Sequence, residues 1–117
     1  MSEKTVLQPV AVVRNEDGYF CHPAVREFWD VDMAGRETCT REEWEAFEER
    51  NGIETHLDRL EFYPIDHPAY VAYFDNEDGN VTAWEPTRPS GDGWFLLDIS
   101  DSEDGPFAVF ARHRSNA

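Results

Sequence analysis

The chain has very few basic residues and almost no lysine. Lys4 is the only lysine, and 10 basic residues stand against 25 acidic ones, which gives a formal net charge of -15. Proteins that bind nucleic acids or anionic membranes directly need lysine and arginine against phosphate groups. We therefore exclude both as direct partners, and we expect the partner to be a protein.

Long apolar runs and cysteine-rich patterns are also missing. No apolar run approaches the roughly 20 residues of a membrane helix, and the opening MSEKTVLQPV lacks the pattern of a signal peptide. The two cysteines, Cys21 and Cys39, form neither a CxxC motif nor a disulfide framework. We expect a cytoplasmic protein with reduced thiols.

The familiar catalytic motifs are missing as well. There is no glycine-rich phosphate loop, no nucleophile elbow and no HExxH sequence. Cys21 and His22 are adjacent, but neighbouring side chains of a strand point to opposite faces, which separates a thiol from its base. We predict no catalytic residue and no cofactor.

Aromatic residues are abundant, at 14% of 117 residues. A chain of this length and composition can bury a hydrophobic core without disulfides or metals. We expect one domain that spans residues 1–117.

Three acidic turns divide the chain. Each has the form [NS]-E-D-G between apolar runs: Asn15–Gly18, Asn76–Gly79 and Ser102–Gly105. Asn or Ser can bond the backbone two residues on, and Gly accepts the positive φ that ends such a turn. A calcium loop would need a carboxylate at its first position, where Phe74 and Ser100 stand. The pattern predicts three hairpins.

Helical signals lie between the first hairpin and the later ones. Pro23 to Trp29 has helical spacing with Pro at its first position. Thr40 and Glu43 form a capping box, and the following helix is expected to end near Arg50, before Asn51-Gly52. The segment Ile53 to Tyr63 fits a helix or a strand, and Leu60 to Tyr63 favours a strand.

These signals predict an α+β fold with an antiparallel sheet built from hairpins. A four-stranded meander would run from Ala69 to His113, and an N-terminal hairpin would join Thr5–Arg14 to Tyr19–Cys21. One or two short helices would pack on one face of the sheet.

The C-terminal strands carry apolar residues on both faces, whereas a sheet with one wet face alternates apolar and polar residues. The second face is therefore either covered or an aromatic patch. If it is open, the candidate aromatic interaction surface is Tyr73, Trp84, Phe95 and Phe110.

Two groups of carboxylates form the candidate acidic interaction surface. The first lies on one side of the Thr40–Arg50 helix, and the second lies at the tip of the last hairpin. The members are Glu42, Glu45, Glu49, Asp98, Asp101, Glu103 and Asp104.

A metal site is the competing interpretation. On a strand, Glu54, His56 and Asp58 would share one face, and His67 follows nearby. The spacing of these residues matches no established metal-binding motif. The weak candidate ligands are His56, Asp58 and His67, and no metal is predicted.

Two stretches resemble a known group of proteins. The string WEPTRPSGDGWFLLDISDSEDGPFAVFAR, residues 84–112, resembles the C-terminal signature of small acidic proteins carried by bacterial mobile elements such as phages, prophages and plasmids. The string VAVVRNEDGYFCHP, residues 10–23, is similar to the same group. The resemblance implies a setting and assigns no catalytic residue.

Three functional hypotheses remain open. The favoured one is a non-enzymatic protein-binding module, in a specific form a mobile-element inhibitor or DNA mimic that acts on a host nucleic-acid-binding protein. The alternative is a small metal-dependent enzyme or metal-binding protein that uses the Glu54–His67 region. The third is a homodimer joined through an open sheet edge.

Overall fold

The computed structural model describes residues 7–36, 38–75, 80–102 and 104–114. Four strands form one antiparallel sheet: β1 (Phe20–Cys21), β2 (Ile53–Arg59), β3 (Phe95–Ser100) and β4 (Phe107–His113). Their order across the sheet is β1-β3-β4-β2. Short helices accompany the sheet, so the predicted α+β fold with an antiparallel sheet is confirmed.

The last hairpin forms as predicted. β3 pairs with β4, and the turn between them closes with backbone bonds in both directions between Ser102 and Gly105, each 3.0 Å long. A bulge lies between Leu96 and Asp98, where β3 has one residue more than β4. The bulge changes the direction of β3 relative to β4.

The preceding hairpin does not form, and the predicted four-stranded meander is wrong. Pro68–Tyr70 is a helix, α3, which continues as a π-helical turn over Val71–Asp75. His67 starts the helix: its Nδ1 accepts the Ala69 N–H at 3.1 Å, and proline follows at the first position. These start signals outweigh the strand preference of the aromatic residues. The predicted turn Asn76–Gly79 lies outside the described residues.

The N-terminal hairpin is only half formed. Asn15–Gly18 makes its turn, with Asn15 O accepting the Gly18 N–H at 2.9 Å, and the return strand β1 pairs with β3. The described residues 7–14 form no strand, so the predicted first arm is wrong there. Gly18 has φ 92°, and a Cβ at this position would lie 2.7 Å from the backbone of Val81 and Thr82. The turn is therefore packed against the segment that follows residue 80.

The predicted capping box is confirmed. Helix α2 (Arg41–Asn51) begins with the Thr40 hydroxyl accepting the Glu43 N–H, while the Glu43 carboxylate accepts the Thr40 N–H. Gly52 ends the helix with φ 67°, the left-handed conformation that glycine adopts readily. α1 (Pro23–Glu27) also forms, and it continues as a π-helical turn over Phe28–Asp32.

The strand predicted at Leu60–Tyr63 is wrong. The strand lies earlier, at Ile53–Arg59, and Leu60–Phe62 is a 3-10 turn. The Leu60 N–H donates to Pro106 O at 3.1 Å. Pro106 has no N–H with which to continue the ladder. Pairing between β2 and β4 therefore stops at this point.

Both faces of the sheet are covered. On one face the strands pack against α1 and α2, through Val25, Phe28 and Phe47 on the helices. On the other face they pack against α3 and the segment 80–94, through Ala69, Val81 and Trp84. Helices therefore lie on both faces, which corrects the expectation of one. Among the described residues, no helix is long and apolar enough to cross a bilayer.

Candidate functional site

The acidic side of α2 is where the sequence places it. Glu42, Glu45 and Glu49 are all exposed. At 3.6 residues per turn they fall within about 60° of the helix circumference and span about 10.5 Å of its axis. Part of this charge is neutralised, because Arg41 Nε lies 3.3 Å from the Glu45 carboxylate. The structure therefore brings these three carboxylates to one side of the helix, next to the guanidinium of Arg41.

The second group of carboxylates, at the tip of the last hairpin, does not lie together at the surface, because one member is buried. Asp98 is only 4% exposed, so its assignment to an acidic surface is wrong. It lies in β3 opposite Cys21 of β1 and accepts a bond from the Ser100 hydroxyl at 2.7 Å. Burial raises the pKa of the Asp98 carboxyl to about 6, and the hydrogen bond from Ser100 partly opposes that rise.

The remaining tip acids are at the surface. Asp101 and Asp104 are exposed, and Glu103 lies outside the described residues. The Tyr73 hydroxyl donates to both carboxylate oxygens of Asp101, at 2.9 Å each. Burial and the Asp101 carboxylate raise the pKa of Tyr73 to about 12. The Tyr73–Asp101 hydrogen bonds connect the tip of the last hairpin to the turn that follows α3.

The proposed aromatic surface is not an open face. Trp84 is 0% exposed and Phe110 is 4% exposed, so both belong to the core and their assignment to a surface is wrong. Phe95 is half-buried and packs against the core formed with α1 and α2. The centre of its ring lies 5.7 Å from the centre of the His113 ring. Tyr73 is half-buried beside Phe74. The segment 80–94 and α3 cover the sheet face that carries Phe110, and Phe95 lies on the opposite face against the helical core.

The weak metal candidates have separate structural roles. His56 is exposed, with its ring 6.1 Å from that of Trp94. The Asp58 carboxylate accepts from the Tyr63 hydroxyl, and the His67 ring caps α3. Within the described ranges, no three His, Cys, Asp or Glu side chains group closely enough to hold a metal ion.

Cys21 and His22 do not form a nucleophile and base. The His22 ring caps α1 through its Nδ1, and its Nε2 lies 2.8 Å from Gln8 O. Burial and the Asp98 carboxylate raise the pKa of the Cys21 thiol to about 11. A thiol with so high a pKa carries little thiolate at neutral pH, so it is a poor nucleophile.

The sequence interpretation missed the most exposed apolar pair near the sheet. Phe62 is 78% exposed and Ile65 is 75% exposed, on the loop that follows β2. Phe62 was assigned to a strand, in which half of the side chains can be buried. The detectable signal was Pro64 together with Pro68, since a chain interrupted twice by proline cannot continue a central strand.

Hydrogen bonds made by Tyr63 and His67 hold this loop in place. Tyr63 donates from its hydroxyl to the Asp58 carboxylate at 2.5 Å and from its N–H to Leu60 O at 3.0 Å. The same carboxylate accepts the Thr87 N–H at 2.8 Å. The His67 N–H donates to Pro64 O at 3.0 Å, which closes the far end. We call residues 61–67 the presenting loop.

No protein-family model matches this chain. The search of curated proteins and the search of solved structures also find no match. The features of this chain that bear on function are the presenting loop and the acidic side of α2.

Proposed function

We propose that this chain is a non-catalytic protein-binding module and that the presenting loop is the centre of its contact surface. The observation that carries the proposal is the exposure of Phe62 and Ile65, at 78% and 75%, on a loop with bonded ends. Large apolar side chains on a rigid support are typical of binding hot spots, because little conformational freedom is lost on association.

The charge around the loop indicates the chemistry of the partner. Glu61 and Asp66 lie within the loop, and the chain as a whole has 25 acidic and 10 basic residues. Glu61 is partly neutralised by Arg59, whose guanidinium lies 3.4 Å away, while Asp66 is exposed. A complementary partner would have an apolar pocket for the two side chains and basic residues at its rim.

The resemblance of residues 84–112 to proteins of mobile elements supports a bacterial host protein as the partner. Proteins that bind nucleic acids have basic surfaces, which fit the acidic charge of this chain. Cys21 and Cys39 are both free thiols, and this supports action in the reducing cytoplasm.

The loop variant Phe62→Ser/Ile65→Ser should lose binding. Each buried side chain of this size contributes about 1.5–3 kcal/mol, so the double variant should bind at least roughly a hundredfold more weakly. The measurement is capture of a bacterial protein from nuclease-treated lysate, followed by titration of the captured protein against each variant.

Val31→Ser is the matched control, because Val31 is an exposed apolar residue at 66% that lies outside the loop. It should capture the same protein with unchanged affinity. Equal capture by the loop variant and the control, with both variants folded by circular dichroism, would contradict the proposal.

DNA mimicry through α2 is the second candidate, and the three clustered carboxylates favour it. They span about 10.5 Å of the helix axis, over which one DNA strand carries about three phosphates. Three carboxylates therefore match the charge density of a single strand. The Arg41–Glu45 pair reduces that charge, which is why this candidate is second.

The variant Glu42→Gln/Glu45→Gln/Glu49→Gln tests mimicry. If the helix contacts a basic channel, binding should weaken and its dependence on salt should become shallower. A variant of equal net charge, Glu16→Gln/Glu27→Gln/Asp92→Asn, changes three exposed acids elsewhere and should have a smaller effect. Equal effects of the two variants would mean that only overall charge matters, and would reject the mimic.

A further inference from the structure

The half-formed N-terminal hairpin leaves a cleft beside the sheet. The Asn15 N–H donates to Tyr19 O at 2.9 Å, and regular continuation of that pairing would place Val13 opposite Cys21. Residues 10–14 are instead without strand structure. A cleft of about 500 Å³ is lined by this segment and by β1.

On the side of β1 away from β3, no backbone hydrogen bond of Cys21 is found within the part of the chain that the structure describes. Phe20 pairs with Ile99, and the His22 N–H donates to Leu97 O at 3.0 Å. Alternate residues of an antiparallel strand bond to the same neighbour, so the N–H and C=O of Cys21 point away from β3. Cys21 also lines the cleft. An edge of this kind can accept an added strand.

The charged side chains that line the cleft are both arginines, and its other side chains are apolar or uncharged polar. None of its lining residues is acidic, in a chain that has 25 acidic residues. Val10 and Val13 line it and are 40% and 78% exposed. These valines offer contacts to apolar side chains of a bound strand, whose alternate residues would point to the same side.

Two arginines line the cleft, and they differ in their availability. The Arg14 guanidinium donates to the carbonyls of Gly18, Val81 and Trp84, so its donors are used within the fold. Arg26 is exposed, and it belongs to none of the ion pairs found among the described residues. Arg26 is therefore the cation that remains for a carboxylate of a ligand.

We propose that this cleft binds an extended apolar peptide segment that carries a carboxylate. The segment adds to the free side of β1 as a strand, its apolar side chains contact Val10 and Val13, and its carboxylate pairs with Arg26. This site is separate from the presenting loop, so it is a second binding surface with a different chemical preference.

The experiment titrates the labelled protein with three blocked pentapeptides. The amide chemical shifts of the protein are the measured quantity. The probe is Val-Glu-Val-Glu-Val. The matched peptides are Val-Lys-Val-Lys-Val, which reverses the charge, and Val-Glu-Pro-Glu-Val, which removes one ladder donor. The acidic peptide should shift the amides of Val13 and Cys21 saturably. The other two peptides should bind at least tenfold more weakly.

Protein variants separate this site from the rest of the surface. Arg26→Gln should weaken binding of the acidic peptide about tenfold, whereas Arg41→Gln, at an exposed arginine outside the cleft, should leave it unchanged. Phe62→Ser/Ile65→Ser should also bind normally. The proposal is overturned if the acidic peptide causes no saturable shift, if the lysine or proline peptide binds equally well, or if Arg26→Gln has no effect.

Discussion

Asp98 shows how one residue can change the interpretation of a motif. In the sequence it stands among turn acids and counts as surface charge. In the structure it is 4% exposed, with Ser100 as its hydrogen-bond donor. Burial of a carboxylate favours the neutral form, so this residue should affect stability rather than partner binding.

We predict that Asp98→Asn stabilises the protein at neutral pH. The pKa of the carboxyl is raised from an ordinary 3.8 to about 6 in the folded chain, so the folded state binds the proton more tightly. Stability from this group is present below pH 4 and is lost as the pH rises through 6. A shift of this size corresponds to about 3 kcal/mol.

Urea unfolding at pH 4.5 and pH 7.5 measures this effect. The gain in the free energy of unfolding that Asp98→Asn produces should be larger at pH 7.5 than at pH 4.5. The control is Asp92→Asn, at an exposed acid, and its effect should be nearly independent of pH. An Asp98→Asn gain of equal size at both pH values would show that the carboxyl has an ordinary pKa in the fold.

At the scale of elements, the sequence predicts best the features that depend on neighbouring residues. The capping box at Thr40 and the stop at Gly52 both appear in the structure, because each is complete within one turn of chain. The strand expected over Ala69–Asp75 is wrong, because Tyr70, Tyr73 and Phe74 fit helical spacing as well as strand alternation. The helix start at His67-Pro68 decides between the two conformations.

The candidate site was harder to predict than the fold, for a related reason. Exposure of Glu42, Glu45 and Glu49 follows from the period of one helix. Exposure of Phe62 depends on where the pairing of β2 with β4 stops. It stops at Pro106, which is far from Phe62 in the sequence. Burial of Trp84 similarly depends on packing of the segment 80–94 against the sheet. Contacts between distant residues cannot be inferred from local patterns.

The free edge of β2 is protected by a side chain from α2. Pairing with β4 uses the N–H and C=O groups of alternate residues, and Thr55 falls on the side away from β4. The Glu48 carboxylate accepts the Thr55 N–H at 2.9 Å and the Thr55 hydroxyl at 2.8 Å. A bonded charge at this position hinders the addition of another strand, which opposes dimerisation through this edge.

We predict that Glu48→Ala destabilises the protein and promotes self-association. The loss of a charged acceptor for a partly buried N–H costs about 1–3 kcal/mol, and the freed edge can pair with another chain. Glu49→Ala, at the exposed neighbour on the same helix, is the control. Denaturant unfolding and sedimentation velocity measure the two effects. A Glu48→Ala protein as stable and as monomeric as the control would show that the contact does not protect the edge.

At the scale of the whole molecule, repulsion between carboxylates is the dominant long-range interaction. The described residues contain seven arginine–carboxylate ion pairs, and in each of them at least one side chain is exposed. Exposed pairs contribute about 0–1 kcal/mol each. The excess of acidic over basic residues, 25 against 10, leaves fifteen negative charges without a cation. These charges repel one another across a molecule whose shorter dimensions are 33 and 25 Å.

We predict that added salt stabilises the protein. The Debye length falls from about 30 Å at 0.01 M to about 10 Å at 0.1 M, so charges on opposite sides interact at the lower concentration and are screened at the higher one. The thermal midpoint should rise between these concentrations of sodium chloride. The triple variant at Glu42, Glu45 and Glu49 reduces the net charge from -15 to -12, so its midpoint should rise less. An unchanged or lower midpoint in salt would mean that the ion pairs contribute more to stability than the repulsion costs, because screening weakens both.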